Sequence, residues 1–84
     1  MSPVVFRYRG LRFQFYANEG APREPPHIHV VKPGGDAKFW LRPDVRLAYN
    51  IGFDDRTITM LARLILDRRE ELEEAWHGFF GDTN

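Results

Sequence analysis

The stretch His27-Ile28-His29-Val30-Val31-Lys32-Pro33-Gly34-Gly35-Asp36-Ala37-Lys38-Phe39-Trp40-Leu41 alternates apolar and polar side chains on both sides of a Pro-Gly-Gly turn. Period-two alternation around such a turn predicts a β-hairpin with one buried face. Ile28 and Val30 face the core from the first strand, and Ala37, Phe39 and Leu41 do so from the second. Because side chains alternate along a strand, His27 and His29 share the opposite face. An even-length loop puts Lys38 and Trp40 beside them, and Arg42 extends that row. With Gly34-Gly35 at the centre of the turn, His29 stands opposite Trp40.

The same period continues upstream, where Val4, Phe6 and Tyr8 alternate with Val5, Arg7 and Arg9. Arg9-Gly10 supplies a turn, and Leu11, Phe13 and Phe15 then alternate with Arg12, Gln14 and Tyr16 to complete a first hairpin. Between the hairpins, residues 17–26 carry Asn18, Gly20, Pro22, Pro25 and Pro26, a composition that predicts a surface loop. Downstream, Arg42-Pro43-Asp44 breaks the second hairpin, and Val45, Leu47 and Tyr49 alternate with Arg46 and Ala48 as a short fifth strand.

From Asp54 the period becomes helical. Asp54 suits an N-cap, with Phe53 and Ile58 placed as a hydrophobic staple. Ile58, Leu61, Ala62, Ile65, Leu72, Ala75, Trp76 and Phe79 keep one apolar stripe, with a polar gap at Asp67-Arg68-Arg69 and Gly81 as the stop. The expected fold class is α+β, a twisted antiparallel sheet of four to five strands in two hairpins. A C-terminal helix or helix pair packs on one face, leaves the other open, and completes a single domain over residues 1–84.

Eighty-four residues of which 43% are apolar, with seven Phe, three Tyr and two Trp, belong to a folded chain with a modest core. The absence of cysteine excludes disulfides, thiolate metal cages and a Cys nucleophile. No secretory leader pattern and no membrane-length apolar run is visible, so a cytoplasmic protein without membrane contact is expected. Net charge is zero, yet residues 1–46 carry eight basic against four acidic side chains. That asymmetry can steer a partner of opposite sign, while the neutral total gives nucleic-acid binding little support.

Chemistry concentrates on His27, His29, Lys38, Trp40 and Arg42. As a metal site, the two imidazoles would need Glu24, Asp36 or His77 to complete three or four ligands. As a phosphodiester-cleaving site, His27 or His29 would act as acid or base, Lys38 and Arg42 would hold phosphate, and Trp40 would stack a base. As a protein-binding face, Trp40, Tyr16 and the basic side chains are the kinds that anchor interfaces. The plain alternative is a pair of packed strand histidines whose entry is fixed by Pro25-Pro26. Trp76, Phe79 and Phe80 read as core or docking residues, His77 as a last-turn side chain, and Glu70, Glu71, Glu73 and Glu74 as a solvated helix face.

Arg12-Phe13-Gln14-Phe15-Tyr16-Ala17-Asn18-Glu19, Glu24-Pro25-Pro26-His27-Ile28-His29-Val30, Asp36-Ala37-Lys38-Phe39-Trp40-Leu41 and Ala75-Trp76-His77 together resemble a family of short bacterial proteins. That family is catalogued only as a domain of unknown function. The resemblance carries Glu24, Pro25, Pro26, His27, His29, Lys38, Phe39, Trp40 and Trp76 as motif positions, and Gly20-Ala21-Pro22-Arg23 departs from the pattern as an insertion. It implies a partner, because members are often encoded beside a second short protein in toxin-antitoxin-like pairs. The expected function is therefore a small cytoplasmic component of such a two-protein module, acting through the His/Lys/Trp face, with Glu24, Trp40 and Arg42 as binding residues. Two alternatives stand beside it. One is an RNA-cleaving or metal-dependent hydrolytic enzyme using His27, His29 and Lys38, and the other is a structural homodimer. No cofactor is indicated.

Overall fold

In the computed structural model, which describes residues 3–17 and 24–81, five strands precede two helices. The strands are β1 (Val4–Tyr8), β2 (Leu11–Gln14), β3 (His27–Lys32), β4 (Gly35–Trp40) and β5 (Arg46–Ile51). The helices are α1 (Asp55–Asp67) and α2 (Arg69–Phe80). Each strand pairs antiparallel with the next, giving one open sheet in the order β1-β2-β3-β4-β5. This is the α+β fold that the change of period predicts, and the helical half is a pair. The insertion Gly20-Ala21-Pro22-Arg23 and most of the expected loop lie outside the described residues.

Both hairpins are set by turn chemistry. Arg9 and Gly10 take positive φ values of 52° and 79°, the geometry of a two-residue turn whose twist matches its strands, and Tyr8 pairs with Leu11. In the second hairpin the turn residues are Pro33 and Gly34 rather than Gly34 and Gly35. Lys32 pairs with Gly35, so His27 stands opposite Trp40 and His29 opposite Lys38. This corrects the expected His29–Trp40 pair by two residues. Proline's fixed φ suits the first turn position and Gly34, at φ 76°, suits the second, whereas Pro33 in the ladder would cost a donor. Gly52, at φ 85°, lies against this turn, where an added Cβ would collide with the Gly34 carbonyl oxygen.

The strand parity expected from the sequence holds within β3 and β4. Ile28, Val30, Ala37 and Phe39 are fully buried, as is Leu41 just beyond β4. They join Phe13 and Phe15 and the helix residues Leu61, Ile65, Leu72 and Trp76 in one core cluster. Each large apolar side chain so buried stabilises the fold by about 1.5–3 kcal/mol relative to exposure. Phe6 adds a stacked ring on Phe13, 4.3 Å between centroids.

Strict alternation fails in the two edge strands. A register shift between Val4 and Phe6 pairs Val4 with Gln14 and Phe6 with Phe13, so Val4 leaves the core face and Val5 packs against it. A second shift pairs Lys38 with Tyr49 but Phe39 with Leu47. Lys38 and Phe39 point to opposite faces, so Tyr49 and Leu47 must do so too, against the expectation that they share one. An extra residue in one strand of a pair has this effect.

The polar gap in the helical stripe is a real break. Arg68, at φ −109° and ψ 17°, leaves the helical region between α1 and α2, and its N–H still donates to Leu64 and Ile65 carbonyls at 3.2 and 3.1 Å. Gly81, at φ 87°, caps α2. Asp54 caps α1 and accepts the Thr57 backbone N–H at 2.8 Å. Hydrogen bonds from the Thr57 side chain, then from its backbone N–H, hold the Asp54 carboxyl below its ordinary range. A depressed folded pKa contributes stability above the unfolded pKa, and that contribution is lost as pH falls through the folded one. Asp54→Ala should therefore lower the melting temperature at neutral pH, and thermal scans in progressively stronger acid should show the gap to the unsubstituted protein closing.

Candidate functional site

Strand parity brings the sequence-predicted side chains onto one face. His27 and His29 come from β3, Asp36, Lys38 and Trp40 from β4, and Tyr49 from β5. Gln14 pairs with His29, so Tyr16, two residues on, arrives on the same side. Its ring stacks on His29 with 3.9 Å between centroids and 24° between planes. His27 meets His29 and Trp40 edge-on, each at 5.4 Å.

This face is less open than the sequence implies, because both imidazoles are 0% exposed. Part of the reason is α2. Trp76 lies 4.7 Å from the His27 ring while it also meets Phe15 edge-on at 5.4 Å and Phe80 at 4.1 Å. Phe15 belongs to the core face and His27 to the other, so Trp76 closes the end of the sheet where β2 stops and β3 starts. The expectation that the helices stay clear of the histidine face fails at that end. The buried Trp76 indole N–H finds no acceptor among the described residues, a cost of about 1–3 kcal/mol that its ring packing offsets.

Buried imidazoles need partners, and the partners set the tautomers. His27 Nδ1 lies 3.0 Å from the Pro25 carbonyl oxygen, which can only accept, so Nδ1 carries the proton. His29 Nδ1 lies 3.3 Å from Asp36 Oδ1 and 3.2 Å from the Tyr49 hydroxyl. An ionised carboxylate also only accepts, so His29 Nδ1 donates as well. Asp36 Oδ2 accepts the Tyr16 hydroxyl at 2.9 Å and the Tyr49 hydroxyl at 3.3 Å. One carboxylate thus gathers donors from the chain after β2, from β3 and from β5.

Lys38 is the cation of the site. Its Nζ donates to Glu24 Oε1 at 3.1 Å and lies 4.4 Å from the centre of the Trp40 ring. Glu24 Oε1 is also 3.8 Å from His27 Nδ1, so the carboxylate stands between the two basic groups. Arg42 does not join them. It leaves the row beyond Leu41, and its Nε lies 2.8 and 3.0 Å from the two Glu73 carboxylate oxygens on α2. His77 lies in the last turn of α2. Among the described residues no group of three or more His, Asp or Glu side chains is placed to hold a metal ion.

Three participants were not legible as such. Asp36 stands two residues before Lys38, so parity alone put it on this face, but its role as a shared acceptor depends on the Pro33-Gly34 register. Tyr49 arrives through the β5 shift, which nothing in Val45–Tyr49 signals. Trp76 was a motif position, and its contact with His27 needed the helix to be placed.

A small α+β protein whose sheet carries a buried histidine pair, braced by one aspartate and a ring of aromatic side chains, is the class that fold and site define. The chain belongs to the DUF4160 family, a domain of unknown function, whose model matches residues 10–77. That span runs from the first turn into α2 and includes Glu24, His27, His29, Lys38, Trp40 and Trp76. No curated protein and no solved structure matches the chain.

Asp36 accepts hydrogen bonds from three side chains, and each such bond contributes about 0.5–1.5 kcal/mol. Asp36→Ala should lower the unfolding free energy in urea titrations by that order. Asp36→Asn, which keeps one acceptor oxygen, should lose less.

Proposed function

We propose that the protein is the binding component of a two-protein, toxin-antitoxin-like module in the cytoplasm. It engages a small protein encoded by an adjacent gene through the face around His27, His29, Lys38 and Trp40. The observation that carries this reading is the state of the histidines. Both rings are fully buried with Nδ1 engaged, which makes them supports. Trp40, which meets His27 edge-on, retains exposure, and large aromatics fixed by rigid neighbours are the usual anchors of a protein interface. Lys38 and Glu24 add one charge of each sign beside them, suited to orienting a partner rather than to raw affinity. Binding at such an anchor predicts that Trp40→Ala weakens the complex at least tenfold, about 1.4 kcal/mol, in calorimetric titration. Failure of the two gene products to co-purify after co-expression would overturn the proposal.

One observation favours a second reading, RNA cleavage with His29 as general base. A carboxylate on Nδ1 orients an imidazole for proton abstraction at Nε2, and His29 stands in that relation to Asp36 at 3.3 Å. Lys38 would then neutralise phosphate. This reading expects expression of the chain alone to arrest growth, and expects His29→Ala, shown by circular dichroism to be folded, to relieve the arrest. Normal growth without the adjacent gene would remove it.

A further inference from the structure

The two-residue turn fixes which backbone groups of β5 point outward. Lys32 and Gly35 close the turn as a hydrogen-bonded pair, and such pairs alternate along an antiparallel ladder. The bond from Leu41 N–H to the Pro26 carbonyl, 2.9 Å, continues the same series at the far end. Asp36, Lys38 and Trp40 must then turn their backbone groups toward β5, where they pair with Ile51, Tyr49 and Arg46. Asn50, between Tyr49 and Ile51, directs its N–H and C=O away from the sheet.

The rest of this edge is equally uncovered. All six residues of β5 are exposed, with Ile51 at 60%, Leu47 at 43% and Tyr49 at 38%. No charge occurs between Leu47 and Phe53. Edge strands usually carry charge, proline or a cover against pairing. The opposite edge strand carries an exposed Arg7 inside its span, whereas β5 carries its single charge, Arg46, at its start.

We propose that β5 pairs antiparallel with β5 of a second copy of this chain, about a two-fold axis at Asn50. The two Asn50 residues exchange N–H and C=O bonds, making one ten-stranded sheet. Tyr49 then lies across from Ile51 of the partner subunit on the histidine face, and Ile51 across from Tyr49 of the partner subunit, so the apolar side chains cover one another. Charge selects a second copy as the occupant. Antiparallel self-pairing brings Arg46 at the start of one strand toward Asp54 and Asp55 of the partner subunit, beyond the end of the other. Neither Arg46 nor Asp55 has an ion-pair partner among the described residues. The net charge of zero opposes no such association.

Sedimentation equilibrium over a wide concentration series tests this. The unsubstituted protein should reach twice the chain mass, and Ile51→Lys should return it to one chain with its circular dichroism and melting temperature kept. Arg46→Asp should weaken the dimer, and Arg46→Asp combined with Asp55→Arg should restore it; this pair of exposed positions serves if Ile51→Lys does not fold. A single-chain mass throughout the series, or a dimer indifferent to both Ile51→Lys and Arg46→Asp, overturns the proposal. A single-chain protein that still captures the adjacent gene's product would overturn self-pairing and leave the proposed function standing.

Discussion

The pairing of β3 with β4, held in register by Pro33 and Gly34, is the constraint on which the remaining structure rests. A slip of one residue would exchange the two faces of β3, sending Ile28 and Val30 to the polar side and the imidazoles into the core. A slip of two would keep the faces but change who meets whom. With Lys32 paired to Gly35, Asp36 comes within reach of His29, and Lys38 lies between Trp40 and Glu24. The turn therefore sets the chemistry of the face as well as its topology. Gly52, pressed against the same turn, links that register to the point where the chain leaves β5 for α1.

In a chain this short, two imidazoles without exposure are a substantial load on a small core. Asp36 bears much of it. By accepting from Tyr16, Tyr49 and His29 it joins three separate parts of the chain, and the hydroxyls leave their aromatic rings to pack. The arrangement orders the polar face much as the Phe cluster orders the apolar one. Binding and base catalysis both draw on this rigidity and differ in whether the imidazole or the rim around it meets the other molecule.

Much of this was readable from residues alone. Strand parity assigned His27, His29, Lys38 and Trp40 to one face, and the change from period two to a helical stripe placed the helices, because burial forces both patterns. The misreadings share a physical origin. Register shifts at Val4 and Leu47 insert a residue without altering composition, so alternation is broken in space while it persists in sequence. Two adjacent glycines both permit positive φ, so the sequence offers two turn positions, and only the demand that Pro33 stay out of the ladder decides between them. Arg42 falls outside the row because β4 ends at Trp40, and beyond that end Glu73 on α2 offers it a carboxylate. Trp76 could not be assigned to both sides of the sheet from a helical stripe, which marks burial without saying against what.

The position of the indoles has an optical consequence. The chain has two tryptophans, and both rings lie against His27, Trp40 at 5.4 Å and Trp76 at 4.7 Å. Tryptophan emission from this molecule therefore comes from two indoles that share one imidazole as a neighbour, one of them buried and the other partly wet. The protein carries a built-in local probe, and a spectral change on adding a candidate ligand would report on the histidine pair and its immediate neighbours rather than on the fold at large.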